Sequence, residues 1–181
     1  MTNSTARAGI DTNILIYSTR TDADIRKLID EQARKEARKL RAASQRLLKR
    51  LRQDDWQIFI STITLGEYLV KVDPRAHAKT IIELRSLCTF AEFNIRAATL
   101  AAEMTGKAKA VKQTMRLKVD RPVLMADVKI IASLRAAGVQ HFYVNDGGCC
   151  KVAQQFMKAS LLPMEPVTLL EIMEQDETES D

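Results

Sequence analysis

A chain of 181 residues with 46% hydrophobic side chains can bury one sizeable core and is short for two. Its net charge is +5, yet residues 171–181 hold six acids (Glu171, Glu174, Asp176, Glu177, Glu179, Asp181) and no base, so setting those six aside leaves +11 on residues 1–170. Three cysteines, two of them adjacent at Cys149 and Cys150, argue against a disulfide framework or a zinc cluster; residues 1–8 hold no apolar signal core and no apolar run approaches the ~18 residues of a membrane helix, so the expectation is a cytoplasmic protein with reduced thiols.

In chain order, Ala8-Gly9-Ile10 reads as a strand, Asp11-Thr12-Asn13 as a polar turn and Ile14 to Tyr17 as the start of a short helix. Apolar or small residues at 25, 28, 29, 33, 37, 40, 44, 47, 48 and 51 follow the 3.6-residue period, which predicts one long amphipathic helix over about 25–52 with a basic outer face. Trp56 to Ile60 reads as a buried strand ending in the helix-capping pair Ser61-Thr62, and the helix that follows carries Glu67 and stops near Asp73-Pro74.

Residues 76–87 are helical by period, Thr89 to Phe93 alternates like a strand, and Asn94 caps an Ala-rich helix from Ile95. Asp120-Arg121-Pro122 opens another helix, with Gly138 just past its end. His141 to Val144 is a strand, Asn145-Asp146-Gly147-Gly148 a turn, and Lys151 to Lys158 a short helix, while 171–181 reads as a disordered acidic tail. Strands alternating with helices imply an α/β domain with a mostly parallel sheet covered on both faces.

Four acids stand out against that frame. Asp11 and Asp146 directly follow predicted strands, and Glu67 lies within two turns of the helix after a third, positions at the carboxyl rim where open α/β sheets place their sites. Asp127 interrupts an apolar helix face shared with Ile130, Ile131 and Leu134, and a core-facing carboxylate needs a partner. If the four converge, each pair of like charges at ~4 Å costs on the order of 4 kcal/mol at an effective dielectric near 20, so the group must take up protons or recruit cations. Oxygen donors favour Mg²⁺ or Mn²⁺, ions that can support phosphodiester hydrolysis without a nucleophilic side chain.

Each acid alone also has a structural reading: Asp11 as a helix cap, Glu67 as the partner of Thr64 in a capping box, Asp146 as a turn residue. Asp120 reads as a helix cap, His77 as a surface residue and His141 as a strand-edge residue. The bases of 26–52 and the run Lys107, Lys109, Lys112, Arg116, Lys118, Arg121 suit RNA phosphates as well as plain solvation.

Gly9 to Tyr17, Ile60 to Glu67, Ala126 to Ala132 and Tyr143 to Asp146, in that order and spanning nearly the whole chain, resemble the PIN domain of nucleases, including VapC-like toxins of toxin-antitoxin pairs. The resemblance implies a single PIN-like domain over 7–170, with the long basic helix inserted after the first strand. It implies a metal-dependent ribonuclease whose Asp11, Glu67, Asp127 and Asp146 hold Mg²⁺ or Mn²⁺, with Asn13 orienting the Asp11 loop. RNA is the implied substrate, and a cognate antitoxin and a homodimer are implied partners. Two departures stand: Val144 occupies the place where the family often has Ser or Thr, and the basic helix is longer than in compact toxins.

The competing readings are a PIN-like module that binds RNA or protein without cleaving it, and a phosphatase using Asp11 as nucleophile. Asn13 stands where the phosphatase families want a second Asp, and no G-x-x-x-x-G-K-[ST] loop is present.

Overall fold

The computed structural model describes residues 5–116 and 120–164. Five strands, β1 (Arg7–Ile10), β2 (Gln57–Ser61), β3 (Thr89–Ala91), β4 (His141–Val144) and β5 (Lys158–Leu161), form one parallel sheet in the order β3-β2-β1-β4-β5. The chain builds outward from β1 through β2 to β3, then returns to the other side of β1 for β4 and β5. The reversal lies between β1 and β4, the crevice where open α/β sheets bind ligands.

Two apolar layers cover the sheet, one on each face, as expected. Period-two alternation divides the strand residues between them: Ile58 and Ile60 join Ala8 and Ile10 on one face, while Phe59 joins Phe142 and Val144 on the other. The first face carries α1 (Thr12–Thr19) and α3 (Glu31–Gln53); the second carries α6 (Ile95–Thr114), α7 (Arg121–Ala136) and α8 (Gly147–Ala153). Gly9 permits close packing on the second face, since a Cβ there would lie 2.8 Å from Leu134 Cδ1. Gly138, at φ +74°, ends α7 in the left-handed conformation that glycine adopts freely.

The long helix expected over 25–52 is two helices, α2 (Asp22–Arg26) and α3. Asp30 interrupts it, accepting a 2.6 Å bond from the Ala33 N–H to start α3, while the short α2 opens ahead of the expected start with a reciprocal capping box between Thr21 and Asp24. Ile29, assigned by period to the buried stripe, is 98% exposed. From Ala37 onward the predicted stripe holds, with Leu40, Ser44, Leu47 and Leu51 buried.

The expected turn at 145–148 and helix at 151–158 are also corrected. Asp146 caps α8, which opens at Gly147 and closes at Ala153, and Lys158–Leu161 is the edge strand β5. A four-residue Lys-Ala-Ser-Leu segment has little local preference for extension, and its ladder with β4 supplies the reason it is a strand.

Smaller differences follow from single bonds. Ser61, not Thr64, caps α4 (Thr62–Leu69), so the capping box expected between Thr64 and Glu67 is absent. Asp120 occupies the cap position of α7 without a side-chain cap bond. His77, at the head of α5 (His77–Leu87), is half-buried and its Nε2 bonds the Leu69 and Val72 carbonyls. His141 is buried on the interior strand β4, against Ser160 Oγ and the Tyr143 ring. The domain limit near 170 and the acidic tail 171–181 lie outside the described residues. Among the described residues no helix is long and apolar enough to cross a membrane.

Candidate active site

Asp11 is the first residue beyond β1 and the cap of α1. Its Oδ1 accepts from the Ile14 N–H at 2.7 Å and its Oδ2 accepts from the Asn145 N–H at 2.8 Å, while its own N–H donates to the Tyr143 carbonyl. The cap expected at Asp11 is thus present, and so is something a cap does not need: a second oxygen tied across the crevice to the end of β4. Burial is the main cause that raises the Asp11 pKa to about 6, with Asp146 and Glu67 adding repulsion and the two N–H bonds opposing it.

Asp127 reaches the same place from α7, whose first turns pack against α4 and α8. Burial first, then the charge of Asp146, raises its pKa to about 7; the Cys149 thiol donates a hydrogen bond that opposes the rise, and Glu67 and Asp11 add to it. A carboxylate in the apolar face of a helix is thus matched by one weak donor, much less than its charge requires.

Glu67 and Asp146 approach from the solvent side, and both are exposed. Glu67 Oε2 accepts from the Thr12 hydroxyl, which links α4 to the first residue of α1. Asp146 Oδ1 accepts from the Cys149 N–H at 2.6 Å as the cap of α8. All four predicted acids are therefore brought to one rim, close enough for Asp127 to feel the charge of the other three and for Asp11 to feel that of Asp146 and Glu67.

Asn13, expected to orient the Asp11 loop, is exposed, and the bonds that hold the Asp11 carboxylate come from the Ile14 and Asn145 backbone. Two residues not singled out by sequence contribute to the rim. Thr12 holds Glu67, and its place inside Asp-Thr-Asn was the available signal. Cys149 bonds Asp146 through its N–H and Asp127 through its thiol, whose own pKa is driven far up by burial and the surrounding acids. Its signal was position alone, three residues after a capping Asp.

The donor set tests whether a divalent ion fits. Among the described residues no three His, Cys, Asp or Glu side chains form a group able to hold a metal ion by themselves. The electrostatic coupling of the acids extends further than direct coordination, so the two observations are compatible. Mg²⁺ in particular keeps several waters and is held by one or two carboxylates with substrate phosphates completing its shell. The carboxylate oxygens of the rim, with Asp11 buried and Asp127 partly so, fit such an ion in charge and hardness, and a closed cage is not needed.

No protein-family model and no curated protein matches the sequence. Solved structures do match in fold. A chain from the crystal structure of VapBC2 from Rickettsia felis, bound to a DNA fragment from their promoter, is 16% identical, covers 87% of this chain and 99% of its own, and has a TM-score of 0.54. A chain of FitAcB from Neisseria gonorrhoeae is 15% identical over 87% of this chain and 97% of its own, with a TM-score of 0.50. The likeness is one of fold, and it is the α/β fold, with its parallel sheet, that the resemblance to VapC-like PIN domains implies.

Proposed function

We propose that this protein is a divalent-metal-dependent ribonuclease that hydrolyses RNA phosphodiester bonds at the rim formed by Asp11, Glu67, Asp127 and Asp146. One observation carries the reading: a buried carboxylate at a strand end, Asp11, and a partly buried one on a separate helix, Asp127, are held at the topological switch point with their pKa values raised towards neutrality. Such an arrangement destabilises the metal-free fold, and a bound cation removes the cost.

Asp11 and Asp127 would hold Mg²⁺ or Mn²⁺ from the protein side, with Asp146 and Glu67 adding charge from the solvent side. The ion would supply charge stabilisation at the phosphoryl oxygens and an acidified water. The chain's own residues orient and exclude. The Ile14 and Asn145 N–H groups fix both Asp11 oxygens, the Cys149 thiol bonds Asp127, Thr12 ties Glu67 to the start of α1, and the buried Val128 and Val144 on one face of the sheet and Ile10 on the other exclude bulk water from behind the acids.

The wider reading is a toxin with a cognate antitoxin, supported by the resemblance of the four sequence patches to VapC-like toxins and by the fold shared with chains of VapBC2 and FitAcB. A second reading, a module that binds RNA or protein without cutting, is favoured by the lack of a three-ligand group among the described residues and by Val144. Incubation of mixed-sequence single-stranded RNA with purified protein in Mg²⁺, Mn²⁺ or EDTA, beside Asp127→Asn, separates the two. Cutting that needs the metal and is lost in the variant supports the nuclease; RNA retained intact on the wild type in every condition supports the module.

A further inference from the structure

The basic face of α3 has no role in the rim chemistry. From Lys39 to Arg52 the helix carries six bases and no acid. Some are engaged locally, Arg41 with Asp22 at 2.7 Å and Arg50 with Asp54 at 3.8 Å. Lys35, Lys39 and Arg52 are exposed and have no acidic partner among the described residues. Like charges along one helix face repel, so the row favours an anionic cover.

The path of the chain beyond β5 points to what covers it. Leu162 is buried in the same apolar layer as Leu40, Leu47 and Leu51 of α3. Two residues later the Met164 carbonyl accepts a 2.9 Å hydrogen bond from Arg46 Nη2, on α3 itself. The described chain therefore ends on this helix, and residues 165–181 then carry seven acids and no base. Seventeen residues can extend to roughly 55 Å, against about 34 Å for the length of α3, so the segment reaches every base on it.

We propose that the acidic segment 165–181 docks along the basic outer face of α3, anchored at the Arg46–Met164 bond, and acts as an intramolecular competitor for polyanions. Tethering keeps the local acid concentration high, so weak individual pairs suffice, and salt weakens the contact. The competitor role rests on the ribonuclease reading, because RNA is the polyanion in question; the docking itself does not.

Zero-length carbodiimide coupling of the full chain, mapped by mass spectrometry, tests the docking. Expected are amide links within one chain from acids of 165–181 to Lys35, Lys39 or Lys49, suppressed in high salt. The exposed Lys79–Glu83 pair, 3.7 Å apart, reports that the reagent works. Links reaching Lys107, Lys109 and Lys112 of α6 equally often, links between chains only, or no links from the segment while Lys79 couples to Glu83, would each overturn it. For the competitor role, the six acids of 171–181 are changed to their amides in an Asp127→Asn background and single-stranded RNA binding is measured. Affinity should rise about tenfold at low salt and converge with the parent at high salt. Unchanged RNA affinity alongside positive cross-links removes the competitor role and leaves the docking standing; absence of RNA binding in both proteins counts against the ribonuclease reading instead.

Discussion

Asp11 and Asp127 meet Glu67 and Asp146 at one rim, but the two pairs are built differently. The first pair is buried or largely so, with pKa values near 6 and 7; the second stands in solvent, one accepting from a threonine hydroxyl and the other capping a helix. An exposed acid on a cap or a surface bond stabilises the fold on its own account. A buried, under-compensated acid works against it, so its position has to be explained by something other than stability. On the proposed ribonuclease reading, the contrast puts the metal-holding role on Asp11 and Asp127 ahead of their exposed neighbours.

The largest effect should appear in catalysis. Asp127→Asn is expected to lower metal-dependent RNA cleavage by about a thousandfold, since it removes the charge and leaves the volume. Comparable rates for the variant and the wild type would break the comparison at its root.

The pH dependence of stability comes next. Asp11 and Asp127 have folded-state pKa values above the unfolded value of 3.8, so between pH 4 and about 7 the folded protein binds more protons than the unfolded one. Stability of the metal-free protein therefore falls as pH rises through that window and levels off above it. Urea titrations in EDTA at pH 4.5, 6 and 8 measure this, and Asp127→Asn should show a shallower decline. A rise in stability across the window would mean that the acids are already compensated. Mg²⁺ should recover stability at pH 8 and do little at pH 5, where protons occupy the same sites.

Metal-free thermal melts at pH 8 sharpen the contrast further. Asp127→Asn should raise Tm by several degrees, corresponding to about 2 kcal/mol. Asp11→Asn should gain less, because its amide can accept from Ile14 or Asn145 but turns an NH₂ towards the other N–H. Asp146→Asn should stay within about 0.5 kcal/mol, Asn being as good a helix cap. Equal gains for all three variants would show that exposure does not separate the pairs.

The smallest effect belongs to Thr12→Val, which frees Glu67 without touching the acids. Cleavage should fall less than about tenfold, with stability changed by about 1 kcal/mol or less. A loss as large as that of Asp127→Asn would promote Glu67 from a charge at the margin to an equal of the buried pair.

Much of this was legible in the chain. Period-two and period-3.6 patterns placed β1, β2, β4 and the apolar stripe of α3, because burial of one face imposes those spacings locally. Asp127 was conspicuous for the same reason: it breaks an apolar face. The helix at 25–52 failed where a cap at Asp30 overrode a continuous apolar count, and β5 was missed because a four-residue edge strand has its cause in the neighbour it pairs with.

The sequence alone determined which acids could matter and which faces must be buried, since both follow from the chemistry of single residues and their spacing. Tertiary structure alone decided that the acids share a rim, that Asp11 is buried and Asp127 partly so while the other two are exposed, and that Thr12 and Cys149 bond to them. Those facts depend on the order β3-β2-β1-β4-β5, which brings residue 11 beside residue 145 across a gap of more than a hundred residues. Desolvation and through-space charge depend on what surrounds a group, and no local pattern records that.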